Sequence, residues 1–366
     1  MKVTAAIATA PKVALSITEL ELDDPRAGEV QVRMVASGVC HTDAIVRDAW
    51  YPFPMPAVLG HEGAGVVTKL GDGVTSVAVG DHVVLAPAHC GHCSQCISGH
   101  PSYCLNAWPL NFGGRRADGS SAFSRDGEQV GSHFFGQSSF ASSSNVYESN
   151  IVKVSADIPL EILGPLGCGI QTGAGSVLNV LRPHAGATIA IFGTGAVGCA
   201  ALLAAVAAGA TTIIMVDIID ARLEFAKTLG ATHVVNSKEV DAVATIREIT
   251  GGIGVEYALD TTGNKFVFPQ MLGALATRGH GGLVGAAALG TEASIDIGSL
   301  LTTGITISMI SEGDSIPQVF IPRLIALYEQ GKFPFDKLIK QYPFADIAQA
   351  FEDSEAGVTL KPVVVF

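Results

Sequence analysis

Thr188-Ile-Ala-Ile-Phe192 runs directly into Gly193-Thr-Gly195-Ala-Val-Gly198, and an alanine- and leucine-rich stretch, Val197 to Ala208, follows at once. An apolar run, a G-x-G-x-x-G turn and a helix in that order form the context that a lone glycine motif lacks. Gly193 permits the tight turn, Gly195 lets the backbone approach a pyrophosphate, Gly198 lets helix and strand pack closely, and the helix N-terminus offers aligned N–H donors. The next apolar run, Thr211 to Val216, ends at Asp217, 24 residues after Gly193. A carboxylate there can accept hydrogen bonds from both ribose hydroxyls and would repel a 2′-phosphate, which favours NAD over NADP. The alternative, a helix packed tightly on a strand with no ligand, gives the acid no role.

Working outward, the pattern repeats: a helix over Ala221 to Leu229, then strands at Thr232 to Val235, Val255 to Asp260 and Gly281 to Val284. Alternating β and α units of this size build a doubly wound parallel sheet, an α/β architecture. Ala185 to Val216 is 32 residues without a formal charge, long enough to cross a bilayer on length alone. Its glycines, among them Gly186 and Gly209, fit a strand, a turn and a helix better than one span, so no membrane segment is expected. Before about Leu166 short β-strands dominate, with alternation over residues 28 to 36 and, more loosely, Val79 to Leu85. From Leu105 to Phe140 glycine, serine and arginine without periodicity read as a long exposed excursion, the pair Arg115-Arg116 included. After about Ser311 come one amphipathic helix, Phe320 to Gln330, and a terminal strand, Lys361 to Phe366.

At roughly 150 residues per domain, 366 residues make about two domains. An apolar content of 48 % excludes disorder, and 15 % charged falls short of the usual ~25 %. That shortage predicts a homo-oligomer, dimer or tetramer, with the apolar runs Leu283 to Leu289 and Ile305 to Ile310 as candidate contacts. The balance of 22 basic and 34 acidic residues gives −12, and Arg115-Arg116 is the only adjacent basic pair. No basic stripe exists to release counterions, which excludes nucleic acid as a partner. Met1-Lys2-Val3-Thr4 opens no secretory leader, so the expected location is cytoplasmic.

Cys90, Cys93, Cys96 and Cys104 have the spacing C-x2-C-x2-C-x7-C. Four thiolates close a tetrahedral zinc shell with no position left for substrate, a site that staples a loop. Disulfides are the alternative, disfavoured in a cytosolic chain. His89, His92 and His100 lie nearby and read as loop surface. Three more ligand-type residues stand apart: Cys40 in Gly38-Val-Cys-His-Thr-Asp43, His61 in Gly60-His-Glu-Gly63, and Cys168 in Gly164-Pro-Leu-Gly-Cys-Gly169. Two thiolates and an imidazole suit a catalytic zinc with its fourth position open. Cys199, on the helix after the glycine loop, reads as a small buried hydrophobe.

In this order the motifs resemble those of the zinc-dependent medium-chain alcohol dehydrogenases over essentially the whole chain. The resemblance implies a GroES-like, β-rich catalytic domain from residues 1–168 and 316–366, carrying the structural zinc loop 90–104. It also implies a Rossmann coenzyme domain from residues 169–315, with the active site in the cleft. Carried over residue by residue, Cys40, His61 and Cys168 are the catalytic zinc ligands, Glu62 the acid beside them, and Asp43 the carboxylate that orients the ligating histidine. Thr42 takes the alcohol proton. Cofactor contacts fall at His41, Thr172, Gly193, Gly195, Val197, Gly198, Asp217, Arg222 and Lys361. Zinc then acts as Lewis acid on the alcohol, and hydride passes to the nicotinamide.

The chain departs from the family pattern at Ile45, where a histidine often ends the proton relay. The relay must finish elsewhere: at the cofactor ribose, at His41 or in water. Trp50, Tyr51, Phe53, Phe134 and Phe135 fall at or near pocket positions, and Ala86 leaves room where relatives often carry a large aromatic. A roomy aromatic slot suits a benzyl-type alcohol, and the combination resembles the aryl-alcohol dehydrogenase branch. Two other readings stand beside it. One is a glutathione-dependent formaldehyde dehydrogenase or polyol dehydrogenase of the same superfamily, in which Arg115-Arg116 could meet an anionic adduct. The other is a catalytically silent NAD-binding structural or regulatory protein, which would have no use for an open zinc site.

Overall fold

The uncharged run from Ala185 to Val216 divides into the strand Thr188–Phe192, the glycine turn, the helix Ala196–Ala208 and most of the strand Thr212–Asp217. No helix of the chain is long and apolar enough to cross a membrane. The computed structural model describes residues 1–366 and resolves them into two units. One comprises Met1–Cys168, Ile316–Pro322 and Asp336–Phe366, the other Gly169–Ser315 and Arg323–Phe335.

The second unit is built on six parallel strands in the spatial order His233–Asn236, Thr212–Asp217, Thr188–Phe192, Val255–Asp260, Leu275–Leu283 and Thr306–Met309. Numbered along the chain this is 3-2-1-4-5-6, the Rossmann order. Its direction reverses between Thr188–Phe192 and Val255–Asp260, so the glycine turn leaves the sheet at the switch point where such folds bind ligands. The helix Ala196–Ala208 is buried throughout from Gly198 to Ala205 and ends on Gly209 at φ +85°, a left-handed cap that glycine adopts without steric cost. The close packing expected of Gly198 is literal: a Cβ there would lie 1.9 Å from the Gly193 carbonyl oxygen.

The first unit holds two mostly antiparallel sheets. In the larger one Glu29–Gly38 pairs with Gly63–Leu70, with Ser143–Tyr147 and with Lys361–Val365. The last pairing sets Val363 opposite Gly38 and brings the end of the chain into the sheet of its beginning. The helix Pro317–Glu329 is divided between the units at Pro322, where proline removes an i→i−4 hydrogen bond. A domain boundary at 315/316 therefore assigns Arg323–Phe335 differently from the contacts.

The stretch expected as an exposed excursion is a correction. Leu105 to Phe140 contains the helix Ala107–Phe112 and the hairpin Phe123–Arg125 with Glu128–Val130, and every residue from Val130 to Ala141 is buried. Burial of so polar a sequence requires internal partners, and Arg116 supplies the centre of them. It is 7 % exposed, against the expected solvent position. Nε and Nη2 donate to Glu29 (2.6 and 2.9 Å), Nη1 and Nη2 to Asp23 (2.9 and 3.0 Å), and Nη1 also to the Ser121 carbonyl. All five guanidinium donors are thereby used. Glu29 further accepts from His133 Nε2 at 3.1 Å. Leu283 to Leu289 also differs from expectation, since its strand stops at Leu283.

Candidate active site

Cys40 caps the helix His41–Arg47, whose first turn carries Asp43. Asp43 is fully buried. Its Oδ1 accepts from Nδ1 of His61 and from the Gly60 N–H, both at 3.0 Å, and Oδ2 accepts from the Cys40 N–H at 3.0 Å. One carboxylate thus joins the two loops that carry Cys40 and His61. It also fixes the imidazole with its lone pair on Nε2, the arrangement a metal-ligating histidine needs. Nε2 is buried without a hydrogen-bond partner. The ligand atoms of Cys40, His61, Glu62 and Cys168 lie within 4.8 Å of one another. The Cys40 thiol is held well below its ordinary value, first by contact with Cys168 and then, against burial, by the positive field of the Lys361 ammonium. An orphaned imidazole nitrogen beside two sulfurs, one favoured as thiolate, is the donor set that zinc takes.

Glu62 is fully buried, and Lys361, only 2 % exposed, donates to both its oxygens at 2.8 and 2.9 Å and to the Val39 carbonyl at 3.3 Å. Burial pulls the Lys361 ammonium down, but the Glu62 carboxylate outweighs it and pushes it up. The position expected to meet the cofactor is therefore engaged beside the ligands. Gly38 makes the space: a Cβ there would stand 1.9 Å from Glu62 Oε2.

The sulfurs of Cys90, Cys93, Cys96 and Cys104 also lie within 4.8 Å of one another. Backbone amides point at them, Cys93 N to Cys90 Sγ and Cys90 N to Cys104 Sγ at 3.3 Å each. Backbone donors outweigh burial and pull the Cys90 thiol down to about 5. His92 and His100 are exposed and His89 half-buried, all outside the cluster.

In the second unit Asp217 accepts from the N–H groups of Thr194 (2.6 Å), Ile218 (2.7 Å) and Ile219 (3.1 Å). Three of its roughly four lone-pair sites are occupied, so the acid braces the glycine loop. A Cβ at Gly195 would meet nothing within 4 Å, which leaves that backbone open to a pyrophosphate. Val197 follows half-buried in the first helical turn, and the Arg222 side chain buries its Nε without a partner. Thr172 is engaged with Glu312 at 3.1 Å. Cys199 is buried, and burial raises its thiol to about 12.

Four of the aromatic candidates belong to one cluster and one does not. Phe135 stacks on the His61 ring at 4.5 Å, Phe134 meets its edge at 5.4 Å, and Phe53 meets Phe134 at 5.2 Å. Tyr51 joins through Phe112, 5.9 Å away. Trp50 instead sits 6.4 Å from His41 and lines a cavity of about 290 Å³ together with Ile45. Ala86 is fully buried. Thr42 Oγ1 lies 3.9 Å from Cys40 Sγ.

Several residues around the site carry no signal in the sequence. Phe112 touches Phe134 and Phe135 at 6.0 and 5.1 Å. Thr261 donates to the carbonyls of Phe192 and Gly193 and so braces the glycine turn. Gln137 and His133 lie within the segment read as an excursion. None carried a motif: Phe112 acts through packing, Thr261 and Gln137 through backbone contacts, and His133 through a carboxylate 104 positions away.

Residues 26–156 match the alcohol dehydrogenase GroES-like domain, and residues 196–330 match the zinc-binding dehydrogenase domain. The chain belongs to the zinc-dependent alcohol dehydrogenase family, with zinc and NAD as its cofactors. It is 45 % identical to a geraniol dehydrogenase of Castellaniella defragrans over 96 % of this chain and 94 % of that one. Among solved structures it resembles an alcohol dehydrogenase zinc-binding domain protein from Burkholderia ambifaria (TM-score 0.98, 56 % identity) and the benzyl alcohol dehydrogenase of Acinetobacter calcoaceticus (TM-score 0.97, 48 % identity). Each of these two comparisons covers 100 % of this chain and 99 % of the other.

Proposed function

We propose that this protein oxidises a primary alcohol whose carbinol carbon is attached to a flat unsaturated group, foremost a benzyl-type alcohol, to the aldehyde with NAD. The observation that carries this reading is the packing of the buried rings of Phe134 and Phe135 against the imidazole of His61. The named activities of the geraniol and benzyl alcohol dehydrogenases share that chemistry, an sp² carbon next to the reacting carbon.

Cys40, His61 and Cys168 would hold the catalytic zinc, which when bound supplies Lewis acidity that lowers the pKa of an alcohol. NAD supplies the hydride acceptor. The chain's own residues orient and deprotonate: Asp43 fixes His61, and Thr42, at the second position of its helix, offers the first hydroxyl to the alcohol proton. Ile45 is 2 % exposed and apolar, so it passes no proton onward. His41, one residue from Thr42, is exposed to solvent and offers the nearer exit. Cys90, Cys93, Cys96 and Cys104 would hold a structural zinc.

The glutathione-adduct alternative loses half its basic pair, since Arg116 is consumed by Asp23 and Glu29. Self-association fits the edge strand Thr306–Met309, where Ile307 is 39 % and Met309 62 % exposed, and we assign the homo-oligomer contact to that face.

Comparing kcat/KM for benzyl alcohol and ethanol tests the substrate. Burying one ring contributes about 2 kcal/mol and its edge contacts about 1 more, so the ratio should favour benzyl alcohol by roughly a hundredfold. A ratio near one would remove the aromatic-substrate reading and leave the enzyme class intact.

A further inference from the structure

The segment His133 to Phe140 runs beside Val58 to Gly63 and is hydrogen-bonded to it along its length. Ser138 Oγ donates to the Val58 carbonyl (2.7 Å), Phe140 N to that of Leu59 (3.0 Å) and Ser139 N to that of Gly60 (2.9 Å). Gln137 completes the series. Its Nε2 donates to the His61 carbonyl at 2.9 Å, and its Oε1 accepts from the Gly63 N–H at 3.1 Å. One fully buried carboxamide therefore grips the backbone on both sides of Glu62.

The gripping segment is itself held in a demanding conformation. His133, Phe135 and Ser138 have φ of +57°, +50° and +53°, the left-handed region that side chains other than glycine seldom occupy. Such a turn persists only where its surroundings over-determine it. His133 is fixed by Ser132 (2.8 Å), by Glu29 (3.1 Å) and by the Tyr147 ring, 4.8 Å away. Its strained geometry aims Phe135 onto the imidazole and Gln137 onto the backbone of the same histidine.

We propose that Gln137 is a positioning residue for the catalytic zinc: its carboxamide sets the His61-Glu62-Gly63 backbone, and with it the imidazole, in the metal-ready orientation. Asp43 fixes the ring from one end and Gln137 fixes the peptide from the other. This inference rests on the reading of Cys40, His61 and Cys168 as the catalytic zinc site. Supporting groups of this kind typically account for a ten- to hundredfold change in metal affinity.

The test is zinc retention by the whole zinc-loaded protein during titration with a competing chelator, with the near-ultraviolet circular dichroism of the zinc-loaded protein as the measure of intact folding. Gln137→Met, of similar length but without either hydrogen bond, should lose one of two zinc atoms at a roughly ten- to hundredfold lower chelator concentration than the wild type. The four-cysteine zinc and NADH binding should be unchanged. Gln137→Glu keeps the acceptor for Gly63 and sets an oxygen against the His61 carbonyl, so it should shift the same single zinc. It decides alone if the methionine variant loses the wild-type circular dichroism signature. A wild-type titration curve in a folded variant, or parallel loss of both metals, would overturn the proposal. A wild-type protein holding only one zinc would instead overturn the underlying assignment of the catalytic site.

Discussion

His61→Ala is expected to lower alcohol oxidation by about three orders of magnitude or more while NADH binding persists. The expectation follows from where the imidazole stands. Its Nδ1 is committed to Asp43, its Nε2 is buried and otherwise without a partner, and two cysteine sulfurs share the site. Removing one of three ligands from an open zinc site removes several kcal/mol of charge stabilisation in the transition state, and about 4 kcal/mol corresponds to a thousandfold in rate. The zinc content should fall from about two to about one per chain. The cofactor loop belongs to the other unit, so NADH affinity serves as the control. Retention of both zinc atoms and of activity would refute the ligand assignment.

The second large effect concerns stability. Arg116→Met should destabilise the chain by roughly 3–5 kcal/mol in chemical denaturation, the range for breaking a buried ion pair on one side. Glu29 and Asp23 would lose their shared cation, and Glu29 is 3 % exposed, so water cannot replace it. The pH dependence has a definite sign. Burial pushes the Glu29 carboxyl up, yet hydrogen bonds from His133 and Arg116 outweigh it and hold it well below the usual glutamate range. A depressed carboxyl contributes stability that is complete above its unfolded pKa and lost as pH falls through the folded one. The wild type should therefore gain nothing from this group on going from neutral to alkaline pH and lose its contribution only in acid. The variant should show a shallower acid slope. An unchanged denaturation midpoint would mean that the network is dispensable.

The fold was legible wherever local chemistry imposes it. Gly193 and Gly198 are required by a turn and a contact within six residues of each other, and Asp217 ends the neighbouring strand, so a short window contained the cofactor unit. The four-cysteine loop was legible for the same reason. The last strand was legible as a strand, but its place beside the first was legible only through resemblance, since nothing local says that Val363 pairs with Gly38.

The segment from Leu105 to Phe140 was misread because its partners are remote. Arg116 meets Glu29 and Asp23 across 87 and 93 positions, and His133 meets Glu29 across 104. Composition alone cannot distinguish serine and glutamine that face water from serine and glutamine that bind a buried backbone. Gln137 is the extreme case: both its contacts are to main chain, which any sequence presents. Among the aromatics, Phe134 and Phe135 reach His61 while Trp50, one residue from Tyr51, lines a cavity with His41 and Ile45.

On the proposed reading, a zinc held by Cys40, His61 and Cys168 makes this chain an NAD-dependent alcohol dehydrogenase. The most direct measurement is NADH formation from benzyl alcohol by the purified protein, followed while a chelator removes the catalytic metal and zinc is then restored. NADH formation is expected to stop as one of about two zinc atoms per chain is lost and to return when it is replaced. A protein carrying two zinc atoms per chain that reduces no NAD with benzyl alcohol, geraniol or ethanol, or whose activity is indifferent to chelation, would contradict it.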